Sequence, residues 1–263
     1  MKSVYTGGEK VAEFESYDEL RVGENKPAFI YEGNELVYPN PVKDGLVLWY
    51  DFSGRTNTDG QRGIAEDLSG NGNHGTLQNF NYTPESGYDK NKLLFDGVDD
   101  YVSFTNLVSG ENGWSFELVA NFVDWEGTSW VNIFGYLNTH TILVHPIGGL
   151  SWYINYEGTT FLAYSEITKS NIPTNTPVYI SVNCKYLIDN KAEITFRVNG
   201  RMRVSNSELN PSYSGFKPNT LGATTGDRMV EWSPSSAKFY NRPLTPEEIA
   251  HNYAIEKERF GIE

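Results

Sequence analysis

The chain has 263 residues, enough for one large β domain with an appendage or for two small domains. Its 34 acidic and 21 basic residues leave a net charge of −13, which repels phosphate backbones and anionic lipids, so neither nucleic acid nor a bare membrane surface is an expected partner. Hydrophobic residues at 38% and aromatic residues at 14%, with 17 Tyr and 14 Phe against 3 Met, exclude global disorder and lean towards sheet.

The N-terminal stretch MKSVYTGGEKVAEFESYDEL has no apolar h-region, and no segment is long enough to span a bilayer, so neither Sec-type export nor membrane insertion is expected. Residues 1–44 form a separate arm. Tyr5 to Val11 and Tyr31 to Val37 share a Y-x-G-x-x-x-V frame, each predicting a short strand, a glycine-bearing turn and a return strand. Two small hairpins bury too little to be stable alone, so the arm is expected to pack on the main domain or on another protein. Pro39, Asn40 and Pro41 close it with a stiff linker.

From Gly45 to the end (45–263) the pattern is sheet. GLVLWYDF alternates Leu46, Leu48 and Tyr50 against Val47, Trp49 and Asp51. WSFELVANFV sets Phe116, Leu118, Ala120 and Phe122 on one face, with Ser115, Glu117 and Asn121 opposite. Strands are also predicted over 92–95, 100–104, 130–137, 141–146, 151–156, 160–167, 177–186 and 192–198. Asn199-Gly200 then signals a type I′ turn into RMRVS. Frequent strands without interleaved helices predict an all-β, antiparallel sandwich. The lone cysteine, Cys184, sits in an apolar run and fills core.

One helix is predicted, over 245–260. Thr245 is the N-cap, Pro246 fits N1 and Glu248 completes a capping box. Ile249, Tyr253 and Phe260 fall near one face, which predicts packing on the sandwich edge, and Gly261 ends the helix.

GLVLWYDF, DLSGNGNHGTL, LLFDGVDDYVSF, WSFELVANF, FRVNGR and FYNRPLTPEEIAHNY occur in that order. Together they resemble the laminin-G-like, concanavalin A-like jelly-roll domain over roughly residues 45 to 255. That resemblance implies two curved antiparallel sheets in a β-sandwich jelly roll, and a carbohydrate- or protein-binding module. The entry from Tyr31 to Phe52, with the RFGI ending, is similar to minor structural proteins of tailed bacteriophages. This second likeness implies a virion protein, associated with tail, baseplate or capsid, made in the host cytoplasm. Where many members carry an acidic residue before the final helix, this chain has serine, in Ser235-Ser236-Ala237, so no site residue is carried over there.

The polar corner EDLSGNGNHGTL has two readings. Asp67 and Asn71 close turns on their own backbone while Gly70, Gly72 and Gly75 supply positive φ. Alternatively Asp67 joins Asp96, Asp99 and Asp100 around a calcium ion, a hard cation that takes six to eight oxygens. His140 and His145, five apart in a strand, point to opposite faces and do not share zinc. Candidate sugar contacts are Trp125 and Trp130, which bracket a loop, and Tyr153 and Asn155, which face away from Trp152, Ile154 and Tyr156. A glycosidase needs two carboxylates about 5 to 9.5 Å apart, and the strand motif that supplies them in jelly-roll glucanases is missing.

These observations lead to a non-enzymatic virion structural protein. Its arm contacts other virion proteins and its jelly roll binds a host cell-wall glycan or a neighbouring virion protein, in a homo-oligomer. A free carbohydrate-binding module and a glycan hydrolase are the competing readings.

Overall fold

A computed structural model describes residues 2–6, 9–14, 27, 29–32, 35–123, 131–136, 140–145, 149–156, 159–164, 172–188, 191–205, 216–222 and 231–263. The chain divides into two compact units, Met1–Val42 and Lys43–Glu263.

The first unit holds two antiparallel pairs, β1 (Lys2–Thr6) with β2 (Glu9–Phe14) and β3 (Ile30–Glu32) with β4 (Glu35–Tyr38). Both are the hairpins that the repeated frame predicts.

The second unit continues with β5 (Leu46–Asp51), β6 (Ile64–Ala65), β7 (Gly75–Gln78), β8 (Gly87–Asp89), β9 (Lys92–Asp96), β10 (Tyr101–Ser103) and β11 (Gly113–Phe122). Then come β12 (Val131–Tyr136), β13 (His140–His145), β14 (Gly149–Tyr156), β15 (Thr159–Tyr164), β16 (Pro177–Tyr186) and β17 (Ala192–Val198). The chain ends with β18 (Arg201–Ser205), β19 (Thr220–Gly222), β20 (Glu231–Tyr240) and α1 (Pro246–Phe260). One sheet runs β15-β14-β13-β12-β19-β10-β7-β6; the other runs β18-β17-β16-β11-β20-β9-β8, with β5 also on β20. Every ladder pairing is antiparallel, as the strand pattern requires.

Between the sheets lies an aromatic core. Phe116 and Phe134 stack with ring centroids 4.2 Å apart, and Trp114 packs on Phe216 at 4.5 Å. The inward face of β11 is the predicted one, Phe116, Leu118, Ala120 and Phe122, joined by Trp114. Cys184 is buried there as expected. Pro234 is accommodated because β20 bulges against β11 between Val119 and Ala120, where the missing N–H is harmless. Asn199 and Gly200 both have positive φ, 47° and 75°, as a type I′ turn demands.

The helix forms as predicted at both ends. Thr245 accepts from Glu248 N while the Glu248 side chain accepts from the Thr245 backbone, and Gly261 caps in the left-handed region at φ 65°. Its packing differs from expectation. The buried positions are Ile249, Asn252 and Glu256, while Tyr253 and Phe260 are only half-buried. Nor does α1 sit on the sandwich edge: it lies on the outer face of the β11/β16/β20 sheet, over Glu117, Tyr179 and Lys238. An apolar stripe misleads here because that outer face is itself polar.

Candidate functional site

The glycine-rich corner is a clamp on a strand edge. β5 pairs with β20 on one side only, and the corner closes the other. Asp67 Oδ1 accepts from Trp49 N at 2.9 Å and Ser69 N at 3.0 Å; Oδ2 accepts from the Ser69 hydroxyl at 2.8 Å and Asn73 N at 2.9 Å. Asn71 donates to Leu46 O and Asn73 to Val47 O, both at 2.9 Å. Gly70 and Gly72 have positive φ, as expected. Gly75 does not: a Cβ there would meet Val102 at 2.5 Å and the Tyr50 hydroxyl at 2.8 Å, so close packing requires glycine.

Asp67 therefore does not join the other three acids. Asp96, Asp99 and Asp100 do come together, each with a carboxylate oxygen within 4.8 Å of the others. Asp96 Oδ1 accepts from Val98 N at 2.8 Å, and Asp100 Oδ2 accepts from Asp96 N at 3.0 Å. Asp100 is buried; its Oδ1 lacks a hydrogen bond of good geometry, although the Ser86 side chain lies beside the carboxylate and lowers its pKa. Burial pushes its carboxyl up to about 6, against the lowering pull of the Asp96 backbone bond. In donor type and spacing these three residues fit a hard cation.

Of the four candidate sugar contacts, Trp125 and Trp130 lie outside the described residues, as does the Asn155 side chain on β14. Tyr153 is half-buried on that strand, next to the fully inward Trp152.

Two features of the outer sheet face were not legible as sites. The first is a buried charged row under α1. Trp49, Lys238, Glu117, Ser181 and Arg197 stand directly opposite one another on β5, β20, β11, β16 and β17. Lys238 is ion-paired with Glu256 of α1, and Arg259 pairs with Asp51 at 2.7 Å. Glu117 accepts from the Tyr179 hydroxyl at 2.5 Å and from Asn252 at 2.8 Å. Lys238 and Arg259 are each ion-paired, whereas among the described residues Glu117 is held by hydrogen bonds and makes no ion pair. Burial raises Glu117 to about 7, against the lowering pull of Lys238. Burial would raise Glu256 too, but Lys238 and Arg259 outweigh it and hold that carboxyl below its ordinary value. Glu117 and Glu256 are both sealed from solvent, 1% exposed each.

The second feature lies where α1 does not reach. A groove of ≈ 270 Å³ opens over β9, β20 and the end of β11. Outward residues of the three strands supply Lys92, Glu231, Ser233 and Asn121, and flanking loops add Glu85 and Asn175. Phe95 and Trp232 reach its floor from the core, their rings 4.9 Å apart.

No protein-family model matches the chain, and no curated protein sequence does. Solved structures do. The binding domain of botulinum neurotoxin serotype D superposes with a TM-score of 0.59 at 12% identity, covering 82% of this chain and 53% of that one. A ligand-binding domain of the same serotype, solved with N-acetylneuraminic acid, gives 0.56 at 11% identity, covering 82% and 52%. Trypanosoma rangeli sialidase gives 0.54 at 12% identity, covering 83% and 34%. This chain spans about half of the toxin chains and about a third of the sialidase chain. At such identities the likeness establishes the fold, an antiparallel β-sandwich.

Proposed function

We propose that this protein is a non-enzymatic carbohydrate-binding module of a tailed-bacteriophage virion. Residues 45–263 bind a host-surface glycan, and residues 1–44 attach the module to other virion proteins within a homo-oligomer. The observation that carries the reading is the sandwich itself, which is similar in fold to a ligand-binding domain solved with N-acetylneuraminic acid. Glu117 and Glu256, the acids buried against α1, are each 1% exposed and so are closed to a glycosidic bond, which supports binding over hydrolysis at that pair. An array of bacterial surface glycans probed with the full chain tests this. Retention of defined glycans without reducing-end release is expected; sugar release above background overturns the binding-only reading. Deleting residues 1–44 tests attachment: a folded sandwich that no longer enters particles is expected, and normal incorporation defeats the arm's role.

For the acidic corner we propose calcium, held by Asp96, Asp99 and Asp100. The Asp100 Oδ1, which lacks a hydrogen bond of good geometry, and the crowding of three carboxylates support it. Calcium binding raises the melting temperature in proportion to the logarithm of its concentration above Kd. A melting curve indifferent to calcium and chelator removes the ion from the reading.

A further inference from the structure

We infer that the groove over β9, β20 and β11 takes a single neutral sugar residue and turns away acidic sugars. The inference rests on the glycan-binding reading and names the ligand class of one site within it.

Charge decides the class. Glu85 and Glu231 are both exposed on the groove's lining. Among the described lining residues Lys92 is the cation, and it shares its charge with Asp89 at 3.8 Å. A sugar carboxylate would bring one more anion into a partly desolvated, net-negative recess, within a molecule already at −13. Hydroxyl groups meet the opposite situation. They donate to ionised carboxylates in charge-assisted bonds, the stronger kind, while the amides of Asn121 and Asn175 each donate and accept.

The recess is also braced by its own framework. Asn175 sits in the left-handed region at φ 58°, and its N–H donates to Phe122 O at 2.7 Å. The Trp232 floor is stacked on Phe122 at 5.9 Å with an interplanar angle of 11°. A preformed wall costs little ordering entropy on binding. At ≈ 270 Å³ the groove falls just below the usual range of small-molecule sites, which starts at about 300 Å³, so it suits one ring and not a chain.

The test follows the indole N–H resonance of Trp232 in the full chain, assigned through Trp232→Phe. A panel of neutral monosaccharides and N-acetylneuraminic acid are titrated separately at millimolar concentration. At least one neutral sugar should shift the resonance saturably while N-acetylneuraminic acid does not. Asn121→Ala should weaken the neutral sugar at least tenfold, and Glu231→Lys should admit the acidic one. Equal response to N-acetylneuraminic acid in the native chain overturns the inference, as does silence of Trp232 across the whole neutral panel. The glycan array separates the two levels. Glycan retention unchanged by Asn121→Ala and Glu231→Lys defeats the groove and leaves the glycan-binding reading intact; no retention of any glycan defeats both.

Discussion

The outer face of the helix-bearing sheet is polar along its whole width, yet its two halves handle charge in opposite ways. Under α1, Lys238, Glu256, Arg259 and Asp51 pair among themselves, and among the described residues Glu117 is left to hydrogen bonds alone. Beyond the helix, Glu85, Glu231 and Lys92 stay in contact with water around a groove. The same residue types are internal framework in one half and available to a ligand in the other. What differs is the cover: one fifteen-residue helix converts exposed charge into a sealed network.

The largest effect should come from breaking the covered half. Glu256→Ala leaves Lys238 buried without its ion-pair partner, while Arg259 keeps only Asp51, and should cost about 3–5 kcal/mol in denaturant unfolding. Replacing Lys238 by Met and Glu256 by Leu together should restore most of it, since a packed apolar pair avoids the desolvation penalty. Asp67→Ala, which takes the acceptor from the backbone N–H groups of Trp49, Ser69 and Asn73, should cost about 2–3 kcal/mol.

The pH response sharpens the contrast. Glu117 has a folded pKa of about 7 against an ordinary 4.5, so the folded state holds a proton that the unfolded chain has released. Stability contributed by this group therefore falls as pH rises from about 4.5 to 7. Glu256 has the opposite sign, its contribution being lost as pH drops below the ordinary carboxylate value. Glu117→Gln should flatten the decline on the neutral side in a series of melts and leave the acid side unchanged.

Smaller effects belong to the open half. Asp100→Asn removes a buried acid with a raised pKa, so without calcium it should stabilise by about 1 kcal/mol at pH 7 and by nothing near pH 4. With calcium present it should lose the ion's stabilisation instead, and the sign of the change reports whether the ion binds. Glu231→Gln should stay within about 0.5 kcal/mol of the native chain, because an exposed groove carboxylate has no folding role. A large destabilisation there would erase the distinction between the halves.

Strands with strict alternation, such as β11 and β16, were legible because one face is apolar and period two is unambiguous. The short β6, β8 and β19 were not, since two or three residues carry no period and exist only through neighbours. β20 was read as a motif ahead of the helix; its serines and lysine lack an apolar outer face. Asp67 and the Asp96–Asp100 corner share composition, and local spacing does not distinguish a fully hydrogen-bonded carboxylate from one that is not. The groove draws on β9, β11, β20 and two loops, so no window of sequence contains it.

By itself the sequence determined the all-β sandwich, the arm's hairpins, the Asn199-Gly200 turn and both ends of α1, because each follows from local periodicity, capping or turn chemistry. Only the tertiary structure decided which acids are framework and which are open to a ligand. Burial and charge balance arise where distant strands and the helix meet, and a carboxylate's environment is a property of that meeting.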